Sequence, residues 1–112
     1  MAEQLRALIL EIQQKVRAKN YRLTSHAERE RETDQITVRE IEEALLSERC
    51  EVIENYPDDP RGASCLVLGF TEGLPLHLVC GVSLSDVIVI VTVYRPHPDK
   101  WFDWRIRKGS SE

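Results

Sequence analysis

The apolar pattern of this chain changes period once, near Cys50, and that change calls for helices before it and strands after it. Leu5, Leu8, Ile9, Ile12 and Val16 fall at i, i+3, i+4, i+7 and i+11, one stripe of a helix over residues 2–19 that stops at Asn20. Tyr21 to Thr24 reads as a short extended link or edge segment. Ser25 and Glu28 have the spacing of a capping box, opening a short helix that ends near Asp34. Thr37 and Glu40 repeat that spacing ahead of Val38, Ile41, Leu45 and Leu46, a further helix ending around Ser47 to Arg49.

Beyond Cys50 β-branched residues dominate. Val52, Ile53 and Tyr56 suggest a strand before the turn Tyr56-Pro57-Asp58-Asp59-Pro60-Arg61-Gly62, and further strands are expected at 64–71, 75–83 and 87–95. A Glu72-Gly73 turn and a Ser83-to-Asp86 turn are too short for crossovers, so these strands form an antiparallel meander. The expected fold is α+β, with N-terminal helices on one face of a four-stranded antiparallel sheet and strand 87–95 at its centre. On that strand Val87, Val89, Val91, Val93 and Arg95 share the face expected to meet the helices, and Ile88, Ile90, Thr92 and Tyr94 share the other. If His77 lies opposite Thr92, then His77, Thr92 and Tyr94 converge, and a one-residue slip would separate them. Pro96 and Pro98 close the strand, and Asp99 to Lys108 is read as a last helical turn. The whole of 1–112 is one domain: an N-terminal helix over 1–20, an α+β core over 21–108 and a frayed tail over 109–112.

The net charge of −4 counts against simple nucleic-acid binding, but the charge is segregated. Glu40 to Asp59 holds eight acidic residues and one base, whereas Arg95 to Lys108 holds five bases and two acids. Cys50, Cys65 and Cys80 lack metal-ligand spacing and sit among apolar neighbours, which makes them small buried hydrophobes. No cofactor or metal is expected, and the lack of a signal-like or membrane-length apolar segment points to a cytoplasmic protein with no membrane partner.

No phosphate loop, nucleophile elbow or metal-binding His-x-x-x-His is present. The remaining polar residues suit metal-free RNA cleavage, which needs an acid and a base, and a cation for the phosphate. Histidine titrates near neutrality, arginine presents two aligned donors, and tyrosine donates a proton or stacks on a base. The candidates are His26, Arg29, His77, Tyr94 and Arg95, with Arg31, Thr92 and His97 behind them. Each has a plain alternative. His26 could bond its own helix turn, and Arg29 and Arg31 could pair with Glu28, Glu30 and Glu32. His77 could be a satisfied buried histidine and Tyr94 a core ring. Trp101, Phe102 and Trp104 could stack bases or cover a sheet edge.

The blocks Thr24-Ser25-His26-Ala27-Glu28-Arg29, Ile36-Thr37, Glu40-Ile41, Tyr56 to Gly62, Pro75-Leu76-His77, Thr92-Val93-Tyr94-Arg95-Pro96 and Trp101 resemble a bacterial domain family similar to the RelE/BrnT-like toxins. The likeness runs from about residue 22 to 105. It implies a RelE/BrnT-like fold and metal-independent cleavage of mRNA, whether free or on the ribosome. It also implies a cognate antitoxin, often a zinc-ribbon protein. His26 and Arg29 match the family's helix motif, and His77, Tyr94 and Arg95 its sheet motif. Such toxins are usually strongly basic, unlike this chain with its pI near 5.4. A non-catalytic protein-binding module on the same fold is the alternative.

Overall fold

The computed structural model describes residues 2–84 and 86–109, so the tail expected to fray lies outside the described residues from 110 onward, as does Ser85 in the turn expected at Ser83 to Asp86. Three helices come first, α1 (Ala2–Arg17), α2 (Ser25–Thr33) and α3 (Val38–Leu45), with a short strand β1 (Tyr21–Leu23) between α1 and α2. Four strands follow, β2 (Glu51–Tyr56), β3 (Ser64–Thr71), β4 (Leu74–Gly81) and β5 (Ile88–Tyr94), and then a hairpin of β6 (Trp101–Phe102) and β7 (Ile106–Arg107).

Capping chemistry sets the helix limits. Thr37 and Glu40 form the expected capping box on α3, worth about 1 kcal/mol. On α2 the cap is Thr24 rather than Ser25. The Thr24 hydroxyl accepts from Ala27 N while donating to the Val91 carbonyl, so one side chain ends β1, starts α2 and ties both to β5. The helices α1 and α2 both stop at a left-handed residue, Lys19 (φ 64°) and Gln35 (φ 57°). The next amide in each case, Asn20 or Ile36, reaches back to the carbonyl of Lys15 or Arg31, a Schellman closure. Ile36 is itself buried in the core, which fixes the chain as it leaves α2.

The meander of β2 to β5 is antiparallel as expected, with Glu72 and Gly73 turning β3 into β4. The expected four-stranded sheet is nonetheless a five-stranded mixed one, ordered β1-β5-β4-β3-β2. Tyr21, Arg22 and Leu23 pair in parallel with Ile88, Val89 and Ile90, so β4 rather than β5 holds the centre. Three residues are too few to show a period, which is why this segment reads from sequence only as a link.

The side-chain faces also differ from expectation. Cys80 pairs with Ile90 but Val79 with Thr92, which makes Val91 the extra residue of a bulge that reverses the alternation along β5. Ile88, Ile90 and Val93 therefore enter the core with Ile9, Ile12, Val16, Ile41 and Leu45 from the helices, and of the expected row of valines only Val93 does so. Gly69 on β3 allows α3 to approach closely: a Cβ there would lie 2.1 Å from the Ala44 carbonyl oxygen.

On the sheet face away from the helices, Leu66 and Leu68 are buried all the same. The β6–β7 hairpin lies on that face. Arg105 pairs with Glu51 and Arg107 with Glu54, both on β2, while the Trp104 carbonyl reaches His77 on β4. The last helical turn expected over Asp99 to Lys108 is thus a hairpin, with Asp103 and Trp104 both at positive φ in its turn. No glycine or asparagine announces that turn.

Candidate functional site

His77 is fully buried and both of its ring nitrogens are engaged. Nε2 lies 2.7 Å from the Trp104 carbonyl oxygen, which only accepts, so Nε2 carries the proton. Nδ1 is then the acceptor, and the Tyr94 hydroxyl, 3.1 Å away, donates to it. Trp101 meets the imidazole edge-on at 4.4 Å between centroids, and Tyr94 does so at 5.2 Å. Register explains the pairing: His77 is directly opposite Tyr94, not Thr92, and cross-strand partners share a face. His77 and Tyr94 therefore meet, while Thr92 lies opposite Val79 and lines a separate pocket with Val79 and Val91.

Burial favours the neutral imidazole and pulls the His77 pKa below 6.5, although the Trp104 carbonyl and Glu54 oppose the shift. In this case the unfolded chain takes up the proton first on acidification. The stability that depends on neutral His77 is complete above about 6.5 and is lost as pH falls through that value toward the lower folded-state pKa. Thermal melts should show the melting temperature falling between about pH 7 and pH 5, above the range where carboxylates respond. A flat profile there would contradict a buried neutral His77.

The Tyr94 ring leads from this cluster into a cleft of about 830 Å³, which is also lined by Arg95, His97, Asp99, Lys100, Trp101, Arg107 and Lys108. Four permanent cations thus face one acid. Burial raises the Tyr94 pKa, so the phenol keeps its proton at neutral pH. The arginines are held from behind. Arg107 makes two hydrogen bonds to Glu54, whose carboxyl stays below the usual range despite burial because Arg107 and Tyr56 bond it. Arg95 has one long contact, 3.6 Å, to Glu40. Lys100 and Lys108 make no ion pair among the described residues and carry the uncompensated charge. Asp99 N donates to His97 Nδ1, which leaves the Nε2 side of that ring toward solvent.

The other two candidates sit apart from the cleft lining. His26 is exposed on α2, with Nε2 3.2 Å from Glu30. The second oxygen of Glu30 accepts from Val93 N, so the pair braces the edge of β5 one residue before Tyr94. Arg29 is exposed on the same helix. Arg31 bonds Glu28 and the Ile36 carbonyl, the helix-surface role expected of it. The candidates thus divide: His77, Tyr94 and Arg95 gather at the end of β5, and His26 and Arg29 stay on α2. Sequence reasoning missed Arg107, Lys100, Lys108 and the Trp104 carbonyl as parts of one site. Their signal was the interleaving of bases and aromatics over 95–108.

The charge segregation is resolved largely within the fold. Of the eight acidic residues between Glu40 and Asp59, six (Glu40, Glu42, Glu43, Glu51, Glu54 and Asp59) stand in ion pairs. The cysteines are free, and burial pushes the thiols of Cys50 and Cys65 up to about 12 and that of Cys80 well above its usual value, so they are not nucleophiles. Among the described residues no cluster of His, Cys, Asp and Glu could hold a metal, and no helix is long and apolar enough to cross a membrane.

A family model described as "Domain of unknown function (DUF4258)" matches residues 23–95. No curated protein and no solved structure matches the chain. The matched span holds all five candidates and ends before the hairpin that completes the cleft.

Proposed function

The chain belongs to the DUF4258 family, and from that footing we propose that it is a metal-independent endoribonuclease of the toxin kind, with a RelE/BrnT-like fold. Its working site is the cleft between the end of β5 and the hairpin. The observation that carries this reading is the gathering of Arg95, Lys100, Arg107 and Lys108 around the His77–Tyr94 pair on a chain of net charge −4.

The Tyr94 hydroxyl gives its proton to His77 Nδ1 and so offers its lone pairs to the cleft. A ribose 2′-OH placed there passes its proton to Tyr94 as Tyr94 passes its own to His77. The 2′ oxygen then bonds to phosphorus and the 5′ oxygen leaves, taking a proton from His97 or water, which gives a 2′,3′-cyclic phosphate. Arg95 and Lys100 offset the charge gathering on the phosphoryl oxygens. His77 acts through Tyr94 and is inaccessible to RNA itself. His26 pairs with Glu30 on α2 and takes no part in the chemistry. A cognate antitoxin would block the site by covering the cleft.

The test is RNA turnover by purified protein in EDTA, with and without translating ribosomes. Cyclic-phosphate ends are expected, at a rate reduced on the order of a hundredfold by Arg95→Ala. RNA left intact under both conditions would favour the protein-binding module, a reading supported by the exposed Leu74 and Leu84.

A further inference from the structure

We propose that the outer face of the β6–β7 hairpin is a nucleobase platform, on which Phe102 stacks a base of a single strand whose backbone runs through the basic cleft. The proposal rests on the cleft taking nucleic acid and adds where the bases go.

Alternation along β6 points Trp101 inward, 6% exposed, and Phe102 outward, 56% exposed. Ile106, the cross-strand partner of Phe102, is 66% exposed, so the two form an apolar pair with one side open to solvent. Two-residue strands gain nothing from leaving a phenyl ring in water. The ring does have a charged neighbour: Lys108 Nζ lies over one face of it, 5.1 Å from the centroid, so a base would stack on the other face. Lys108 also lines the cleft, so the platform and the basic surface share a side chain. An aromatic face next to a cationic track is the combination that binds single strands with little sequence preference, since every base has a π face and every nucleotide a phosphate.

The hairpin is held firmly enough to present such a ring. Asp103 and Trp104 occupy left-handed conformations at φ 52° and 62°, unfavourable for residues other than glycine. His77 retains them by bonding the Trp104 carbonyl, while Arg105 and Arg107 bond Glu51 and Glu54. A duplex keeps its bases stacked on one another and gives the ring nothing to cover. A protein partner would need apolar groups opposite the pair, and the adjoining surface is cationic.

The test uses fluorescence anisotropy with short oligodeoxynucleotides, which lack the 2′-OH and are not cut. One probe carries bases, a second of equal length is abasic, and a third is duplex. The wild type should bind the base-bearing single strand about tenfold more tightly than the abasic strand. Phe102→Ala should remove that preference without changing abasic binding, and Phe102→Trp should keep it. Phe102 is 56% exposed, and a thermal melt of each variant checks that the hairpin stays folded. Equal wild-type affinity for the base-bearing and abasic strands, or a preference that survives Phe102→Ala, would overturn the platform and leave the cleft standing. Binding of no probe at all would overturn both.

Discussion

Replacing Gly69 by alanine is expected to cost about 4 kcal/mol or more, enough to leave little folded protein. The new methyl carbon would sit 2.1 Å from the Ala44 carbonyl oxygen and 2.6 Å from its carbon, with the Ala44 methyl at 3.0 Å. Backbone cannot step aside as a flexible side chain can, so α3 would have to lift off the sheet. Lifting it would expose Ile41 and Leu45 and break the bond from Phe70 N to Ser47 Oγ. A domain of this size holds only about 5–15 kcal/mol in all. Two other glycines serve as controls. Gly81→Ala meets nothing nearer than 3.6 Å and should be close to neutral. Gly73→Ala meets nothing within 4 Å and should cost only the positive-φ penalty at φ +80°, about 1–2 kcal/mol. Denaturant melts of the three variants check the ranking, and equal effects would mean that α3 does not rest on Gly69.

Tyr94→Phe should lower RNA cleavage by about 10² to 10⁴, the usual range for losing a positioned proton-transfer group. The ring stays and the hydroxyl goes, so the cleft keeps its shape. His77 Nδ1 then loses its donor in a buried place, which costs about 1–3 kcal/mol and must be measured beside the rate. Wild-type activity should rise with pH through the lowered His77 pKa, because only neutral His77 can take the Tyr94 proton. A Tyr94→Phe protein that is folded and still cleaves at the wild-type rate would remove Tyr94 from the chemistry.

Much of this was legible from local pattern. The stripe on α1, the Thr37–Glu40 box and the Glu72-Gly73 turn each depend on residues close in sequence, and all are present. What escaped depends on pairing across distance. The Val91 bulge leaves no mark in a run of Ile and Val, yet it decides which residues of β5 face the helices. Two-residue strands have no period, and the left-handed Asp103–Trp104 turn is held by chain-distant partners, His77 on the Trp104 carbonyl and Glu51 and Glu54 on Arg105 and Arg107. Hence residues 99–108 read as helical from sequence, and the hairpin's place beside the cleft shows only in the fold. His77, Tyr94 and Arg95 are candidates on residue chemistry, and the contact between His77 and Tyr94 depends on the register.

Growth on induced expression tests the central claim most directly, comparing wild type, Tyr94→Phe and His26→Ala at equal soluble levels. The expected result is arrest by the wild type and by His26→Ala, relieved by Tyr94→Phe. No arrest by the wild type, or arrest that survives Tyr94→Phe, would contradict a toxin working through the cleft at the end of β5.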